Sequence, residues 1–262
     1  MKKILVFGAN GMLGKDLVKI DFKIYPDYKT DITNLQVFIK TLLVRPDYII
    51  NCAAYTDVDA ENDDNVKCWS VNSCSKLVGI CKLFNTPLVA FSTDYVFNKK
   101  KEGYSEDEKL HNNRPLEIYM SKWIMEFNIL KNLKKYYIIR ISSLFGKNGK
   151  NFVDLILNYE KEINVLNNKM KPTYTVDLAE NVKKLLQLEY PYTYHFTNEA
   201  CSWYEFAKEI NKYRTQPIKI NKVDEFKRPA ERPQYSELIN NSPLKMRHWK
   251  ESLKDYISNI KK

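Results

Sequence analysis

Only seven glycines occur in 262 residues, and three of them fall at Gly8, Gly11 and Gly14. They follow the apolar run Ile4–Phe7 and open a segment in which Leu13, Leu17, Val18 and Ile20 recur with helical spacing. Glycines between a strand and a helix permit a tight turn, let the backbone approach a pyrophosphate and let the helix pack against a sheet. The helix N-terminus adds amide donors and a partial positive charge. An ordinary strand-to-helix turn does not require this concentration of glycine in so glycine-poor a chain. The motif therefore predicts a dinucleotide site built from Gly8, Asn10, Gly11, Met12, Leu13 and Gly14.

The pattern continues through the first 150 residues. A weak strand near Phe22–Tyr25 precedes a helix through Leu35, Phe38, Ile39, Leu42 and Leu43, which Pro46-Asp47 breaks. Tyr48–Cys52 reads as a strand, Val66–Phe84 as a helix, Pro87–Ser92 as a strand, Pro115–Leu133 as a helix and Tyr136–Ser142 as a strand. Short apolar strands alternating with helices predict an α/β fold, a Rossmann-type doubly wound parallel sheet. Residues 1–150 make up this dinucleotide-binding unit. Residues 151–262 are expected to form a smaller C-terminal α/β substrate-binding lobe packed on it, with some chain exchange between the two. Its predicted elements are helices at Phe152–Glu162, Val176–Leu188 and Ser202–Tyr213 and strands at Asn164–Leu166 and Tyr192–Thr197. Ser202 and Glu205 form a capping-box pattern, and the two prolines in Lys227–Pro233 favour an extended segment.

Composition narrows the classes. The chain has 42 Lys+Arg against 32 Asp+Glu, a net charge of +10. The lysines are spread throughout, with no basic tail or nucleic-acid-binding motif, so nucleic acid is not expected as a partner. The five cysteines form no CxxC pair, and the run after Lys2-Lys3 is too short for a secretory leader, so reduced thiols and a cytoplasmic location are expected. No run approaches the roughly 18 apolar residues of a membrane span. His111, His195 and His248 lack ligand spacing, so no metal site is expected.

The GxxGxxG spacing resembles that of extended short-chain dehydrogenase/reductases, and later blocks sharpen the likeness. These are Asn51-Cys-Ala-Ala-Tyr55-Thr-Asp-Val-Asp59-Ala-Glu61, Ser92-Thr93-Asp94-Tyr95-Val96-Phe97, Gly149-Lys-Asn151-Phe152, Pro172-Thr-Tyr174-Thr-Val-Asp177, Cys201-Ser-Trp203-Tyr204-Glu-Phe206 and Arg232-Pro233. Their order along nearly the whole chain resembles the dTDP-4-dehydrorhamnose reductase family. The resemblance implies reduction, by NADPH or NADH, of the 4-keto group of a nucleotide-linked 4-keto-6-deoxy sugar. It implies that Asp31 and Ile32 flank the adenine and that Ala53, Ala54 and Tyr55 line the cofactor cleft. It implies further that Thr93 hydrogen-bonds the keto oxygen, and that Asp94, Tyr95, Ser143, Asn151, Trp203 and Arg232 contact the substrate. A tyrosine with a lysine four residues later would be the acid and its partner. Hydride delivered to a ketone leaves an alkoxide that needs a proton donor, and an adjacent ammonium lowers a phenol's pKa; the lysine can also hold the nicotinamide ribose.

The chain departs from that pattern. Tyr119 and Lys122 are three apart, and Ile118 stands four before the lysine. One residue swings a side chain by about 100° and about 1.5 Å along a helix; in a helix regular up to Tyr119, Ile118 takes the acid's place and the donor is lost, whereas a tightened or frayed first turn returns Tyr119 to the cleft. Tyr25–Lys29, Tyr95–Lys99 and Tyr204–Lys208 have the family spacing but lack the strand-then-helix context. Ser143 replaces the tryptophan usual beside the sugar, and Asn167–Lys171 lacks the usual Asp-Gln and Gly. Lys171 and Arg232 are pyrophosphate candidates, Arg232 the better one because a guanidinium suits bidentate contacts. For the cofactor, Asp27 could serve a ribose and Lys23 or Lys29 a 2′-phosphate; the residues leave NADH and NADPH both open. The rival reading is a dinucleotide-binding protein without reductase activity, acting as a regulatory subunit of another enzyme. A homodimer is compatible with either.

Overall fold

The computed structural model describes residues 1–56, 65–97, 103–108, 110, 117–225 and 237–260. Its centre is a six-stranded, wholly parallel sheet. The strands are β1 (Lys3–Phe7), β2 (Lys23–Asp27), β3 (Tyr48–Asn51), β4 (Leu88–Thr93), β5 (Tyr136–Ile141) and β10 (Thr193–His195), in the order β2-β1-β3-β4-β5-β10. The order reverses between β1 and β3, where doubly wound sheets leave a crevice at the strands' carboxyl ends.

Alternation along the strands explains why helices cover both faces. Ile4, Val6, Ile50, Val89 and Ile139 face α1 (Met12–Leu17) and α7 (Thr175–Leu188). Leu5, Phe7, Ile49, Ala90 and Ile138 face α2 (Gln36–Val44), α4 (Ser75–Phe84) and α5 (Glu117–Asn132). The segment expected as one helix from Val66 to Phe84 is two: α3 (Asn65–Asn72) and α4, separated at Cys74, whose φ of 41° is left-handed and ends the first helix. No glycine or proline marks that break.

Several short elements follow the sheet's fifth strand. They are β6 (Leu144–Phe145), α6 (Phe152–Asn158), β7 (Ile163–Leu166), β8 (Lys169–Met170), β9 (Thr173–Tyr174), β11 (Cys201–Ser202), α8 (Trp203–Asn211), β12 (Ile220–Val223) and α9 (Trp249–Ile260). Phe145, Tyr174, Phe206, Trp249 and Tyr256 centre a separate apolar cluster there, while α7 and β10 return to the first sheet. The capping box opens α8: the Glu205 amide donates to Ser202 Oγ at 3.1 Å, and the Ser202 amide to Glu205 Oε2 at 2.7 Å.

Candidate active site

The Gly-rich turn is shaped by close approach. Gly8 has φ of +72°, and a Cβ there would lie 2.7 Å from the Cys52 carbonyl carbon on the neighbouring strand's exit. A Cβ on Gly14 would fall 2.8 Å from Ala9 Cα, so only glycine lets α1 seat against the turn. Gly11 caps α1 without a side-chain hydrogen bond, which leaves the first amides of the helix to an outside acceptor. Asn10 Nδ2 donates to the Tyr28 carbonyl at 2.7 Å and clips the turn to the exit of β2. The Leu13 side chain is buried in the core, so its amide is what it can offer a phosphate.

Asp27, at the end of β2, is engaged within the protein. Its Oδ1 accepts from the amides of Thr30 (2.7 Å) and Lys29 (3.1 Å), and its Oδ2 from Thr30 Oγ1 (2.8 Å). Lys40 Nζ stands 3.3 Å from the same Oδ2. Burial pushes this carboxyl up, but the hydrogen bonds outweigh it and hold the pKa below the usual value. Asp31 makes a similar local turn through Thr33 (2.7 and 2.8 Å) but stays exposed, whereas the Ile32 side chain is buried among Leu5, Phe7 and Val37.

Beyond β3, the Asn51 side chain accepts from the Ala53 amide at 3.1 Å. Asn72, at the end of α3, brackets Tyr55: its Oδ1 accepts from the Tyr55 amide at 2.9 Å and its Nδ2 donates to the Tyr55 carbonyl at 3.1 Å. Ala54 is exposed beside them. Asn72 is a residue the motif blocks missed; it lies 17 positions from its partner and carries no local signal.

β4 delivers Thr93 to the same edge. Thr93 Oγ1 donates to Asp94 Oδ1 at 3.0 Å and accepts from the Tyr95 amide at 3.2 Å. Ser142 Oγ donates to the other Asp94 oxygen at 2.9 Å. Asp94 is buried, so it acts here as the holder of Thr93 and Ser142, and a ketone oxygen at Thr93 competes with Asp94 for the hydroxyl proton.

Helix α5 is α-helical from Glu117, so no tightened or frayed turn precedes Tyr119, and the expected route back to the cleft is not taken. The two positions before Lys122 straddle it: three residues back lies about 60° to one side, four back about 40° to the other. Tyr119 is buried beside Cys68 of α3 and the partly buried rings of Tyr55 and Tyr95. Its ring meets that of Tyr95 edge-on, centroids 4.7 Å apart. Tyr119 thus sits between the segment leaving β3 and the one leaving β4. Lys122 Nζ donates to the Phe91 carbonyl on β4 at 3.0 Å, and burial draws its pKa below the usual lysine value.

The structure therefore gathers the Gly8–Gly14 turn, Ala53–Tyr55, Thr93–Tyr95, Tyr119 and Lys122 at one edge of the sheet. Ser143 is partly buried on the segment after β5, where its carbonyl accepts from the Thr173 amide at 2.8 Å. Asn151 caps α6, its Oδ1 accepting from the Asp154 amide at 3.0 Å while its Nδ2 reaches the Gly146 carbonyl at 3.0 Å. Trp203 packs edge-on against Phe152 at 4.7 Å, at the margin of the second cluster. Lys171, a phosphate candidate, donates instead to the Leu238 carbonyl at 2.7 Å and pairs with Glu237 at 3.3 Å. Arg232 lies outside the described residues. Among the described residues, no cluster of three or more His, Cys, Asp or Glu could hold a metal ion, and no helix is long and apolar enough to cross a membrane.

Known proteins share this fold and sequence pattern. The model of the RmlD substrate binding domain family matches residues 1–262. The crystal structure of a dTDP-4-dehydrorhamnose reductase from Bacillus anthracis in complex with NADP superposes with a TM-score of 0.91 at 36% identity, covering 98% of this chain and 99% of that one. The spore coat polysaccharide biosynthesis protein SpsK of Bacillus subtilis is 33% identical over 98% of this chain and 97% of its own length. A dTDP-4-dehydrorhamnose reductase of Aggregatibacter actinomycetemcomitans is 33% identical, covering 80% of this chain and 78% of that protein.

Proposed function

Because the chain belongs to the RmlD substrate binding domain family, we propose that it is an NAD(P)H-dependent reductase of the 4-keto group of a nucleotide-linked 4-keto-6-deoxy sugar, with dTDP-4-dehydrorhamnose, reduced to dTDP-rhamnose, as the leading substrate. Relatives that span most of its length are named as this reductase, and one of them binds NADP. The observation that carries the reading to this chain's own residues is the burial of Tyr119 between Tyr55 and Tyr95, with Lys122 one turn away.

The glycine cradle and the uncapped start of α1 fit the pyrophosphate of a dinucleotide. The reduced nicotinamide supplies the hydride. Tyr119 gives its phenolic proton to the oxygen that becomes an alkoxide, and the Lys122 ammonium favours the phenolate left behind. Thr93 hydrogen-bonds the same oxygen, its proton drawn away from Asp94. The cofactor is NADPH or NADH; NADPH is the better fit, because the four hydrogen-bond partners of Asp27 leave it no capacity for a ribose hydroxyl, while Lys29 beside it is exposed. Arg232 is the proposed contact to the substrate pyrophosphate.

The test is loss of nicotinamide absorbance when the purified protein receives NADPH or NADH with freshly generated dTDP-4-keto-6-deoxy sugar. Turnover with that sugar is expected, with a lower KM for NADPH than for NADH. Tight NADPH binding without turnover of any 4-keto sugar nucleotide would contradict the reading and favour a regulatory role.

A further inference from the structure

One group of charges buried between sheet and helices is not used by the reaction. Arg140 lies on β5, opposite Ser92 of β4, and is 2% exposed; Glu126 on α5 and His195 on β10 are wholly buried. Arg140 Nε donates to the two Glu126 oxygens at 3.1 and 3.2 Å, and Nη2 donates to Oε2 at 2.8 Å. Nη1 lies 3.2 Å from His195 Nε2, and His195 Nδ1 lies 2.9 Å from the Ile239 carbonyl. A guanidinium only donates, so Nε2 accepts and Nδ1 carries the ring proton. Burial, with Arg140 adjacent, pushes the imidazole pKa down to about 3 and keeps this neutral tautomer. The Phe97 ring closes the group, 4.9 Å from the guanidinium.

A buried ion pair is a weak device for stability alone. What it anchors is more telling. Glu126 lies seven residues after Tyr119 and four after Lys122 on the same helix. At about 100° per residue, Tyr119 falls within about 20° of Glu126 and Lys122 within about 40°. The three share one stripe of α5, so holding Glu126 fixes the helix's rotation about its own axis. A turn of about 20° would carry a tyrosine hydroxyl roughly 9 Å from the axis by roughly 3 Å, far more than proton transfer tolerates. With the acid displaced by one residue from the family spacing, that rotation decides where it points.

We propose that Arg140, backed by His195, is a positioning residue for the reduction: through Glu126 it locks the rotation of α5 and thereby the aim of Tyr119 at the keto oxygen. The proposal rests on the reductase reading above.

Two histidine variants separate aim from general support. In His195→Asn, the amide nitrogen can replace Nδ1 toward Ile239, but the acceptor facing Arg140 is lost. In His195→Gln, the amide oxygen can replace Nε2 toward Arg140, but the contact to Ile239 is lost. The expected result is a fall in kcat of about tenfold for His195→Asn and about hundredfold for Arg140→Lys. Lys122 turns with the same stripe, so KM for NADPH rises in His195→Asn, while His195→Gln keeps kcat and KM within about threefold of wild type. If Arg140→Lys does not fold, the histidine pair decides alone. Equal loss of thermal stability in both histidine variants with kcat unchanged, or an equal fall of kcat in the two, would overturn the proposal. Wild-type protein that turns over no keto sugar would sink the reductase reading instead, and amide hydrogen exchange then tests the lock. Faster exchange across residues 119–126 in His195→Asn, but not in His195→Gln, supports it; identical exchange in the two contradicts it.

Discussion

The Gly-rich turn and the first turn of α5 lie at the same edge of the sheet but are specified in opposite ways. The turn works through backbone: glycines at 8 and 14 remove side chains, and what remains is a set of amides aimed by the chain path. Leu13 can therefore be a core residue and still serve a phosphate through its amide. The start of α5 works through side chains, whose direction depends on helical register, so a single-residue offset between Tyr119 and Lys122 changes the chemistry on offer. A backbone-coded site tolerates changes of side chain that a register-coded site does not.

The largest expected break in this comparison is on the helix. Lys122→Met should lower kcat by about a hundredfold and raise the KM for NADPH, because in the proposed mechanism the ammonium both favours the phenolate and holds the ribose; steady-state kinetics at varied NADPH checks it. On the turn side, Gly8→Ala should weaken NADPH binding by about tenfold while leaving the chemical step of bound complexes nearly unchanged. The new methyl meets the chain leaving β3 and strains a φ of +72°. A titration followed by single-turnover mixing separates the two effects. The comparison sharpens in the double variant Ile118→Tyr with Tyr119→Gly, which restores the four-residue spacing. It swings the phenol by about 100° from the aim of Tyr119, so kcat should fall at least about tenfold, and loss of the buried Tyr119 ring should cost about 3–5 kcal/mol of stability.

The smallest effect concerns Asp27, whose folded pKa lies below its ordinary 3.8. A carboxylate held in this way adds stability that is complete above the unfolded pKa and fades as pH falls through the folded one. Asp27→Asn should therefore unfold about 1–3 kcal/mol more easily at neutral pH, and the gap to wild type should close only below pH 3.8. Denaturant curves from pH 7 to pH 2 measure it. A pH-independent gap would show that the ionised group is not what holds the exit of β2.

Much of this was legible from local pattern. The continuous apolar runs Ile4–Phe7 and Tyr48–Ile50 mark strands covered on both faces, and the glycine spacing marks the first turn. The Ser202–Glu205 box likewise announced the helix it opens. Other features were not local. Cys74 ends α3 with a left-handed residue that its type does not advertise. Arg140 finds Glu126 across 14 residues and His195 across 55, and no spacing rule joins them. Helix α9, by contrast, is legible in the local way, since Trp249, Leu253, Tyr256 and Ile257 carry a helical stripe. Lys171 looked like a phosphate ligand because a sequence does not show that Leu238 and Glu237 reach it first.

The most direct test of the central claim is the rate of hydride transfer to dTDP-4-keto-6-deoxy sugar in Tyr119→Phe, mixed with bound NADPH in a single turnover beside wild type. Tyr119 as the acid predicts a rate lower by about 10²–10⁴-fold with unchanged NADPH affinity. A rate within about threefold of wild type would mean that another group supplies the proton and that the one-residue offset has removed Tyr119 from the reaction.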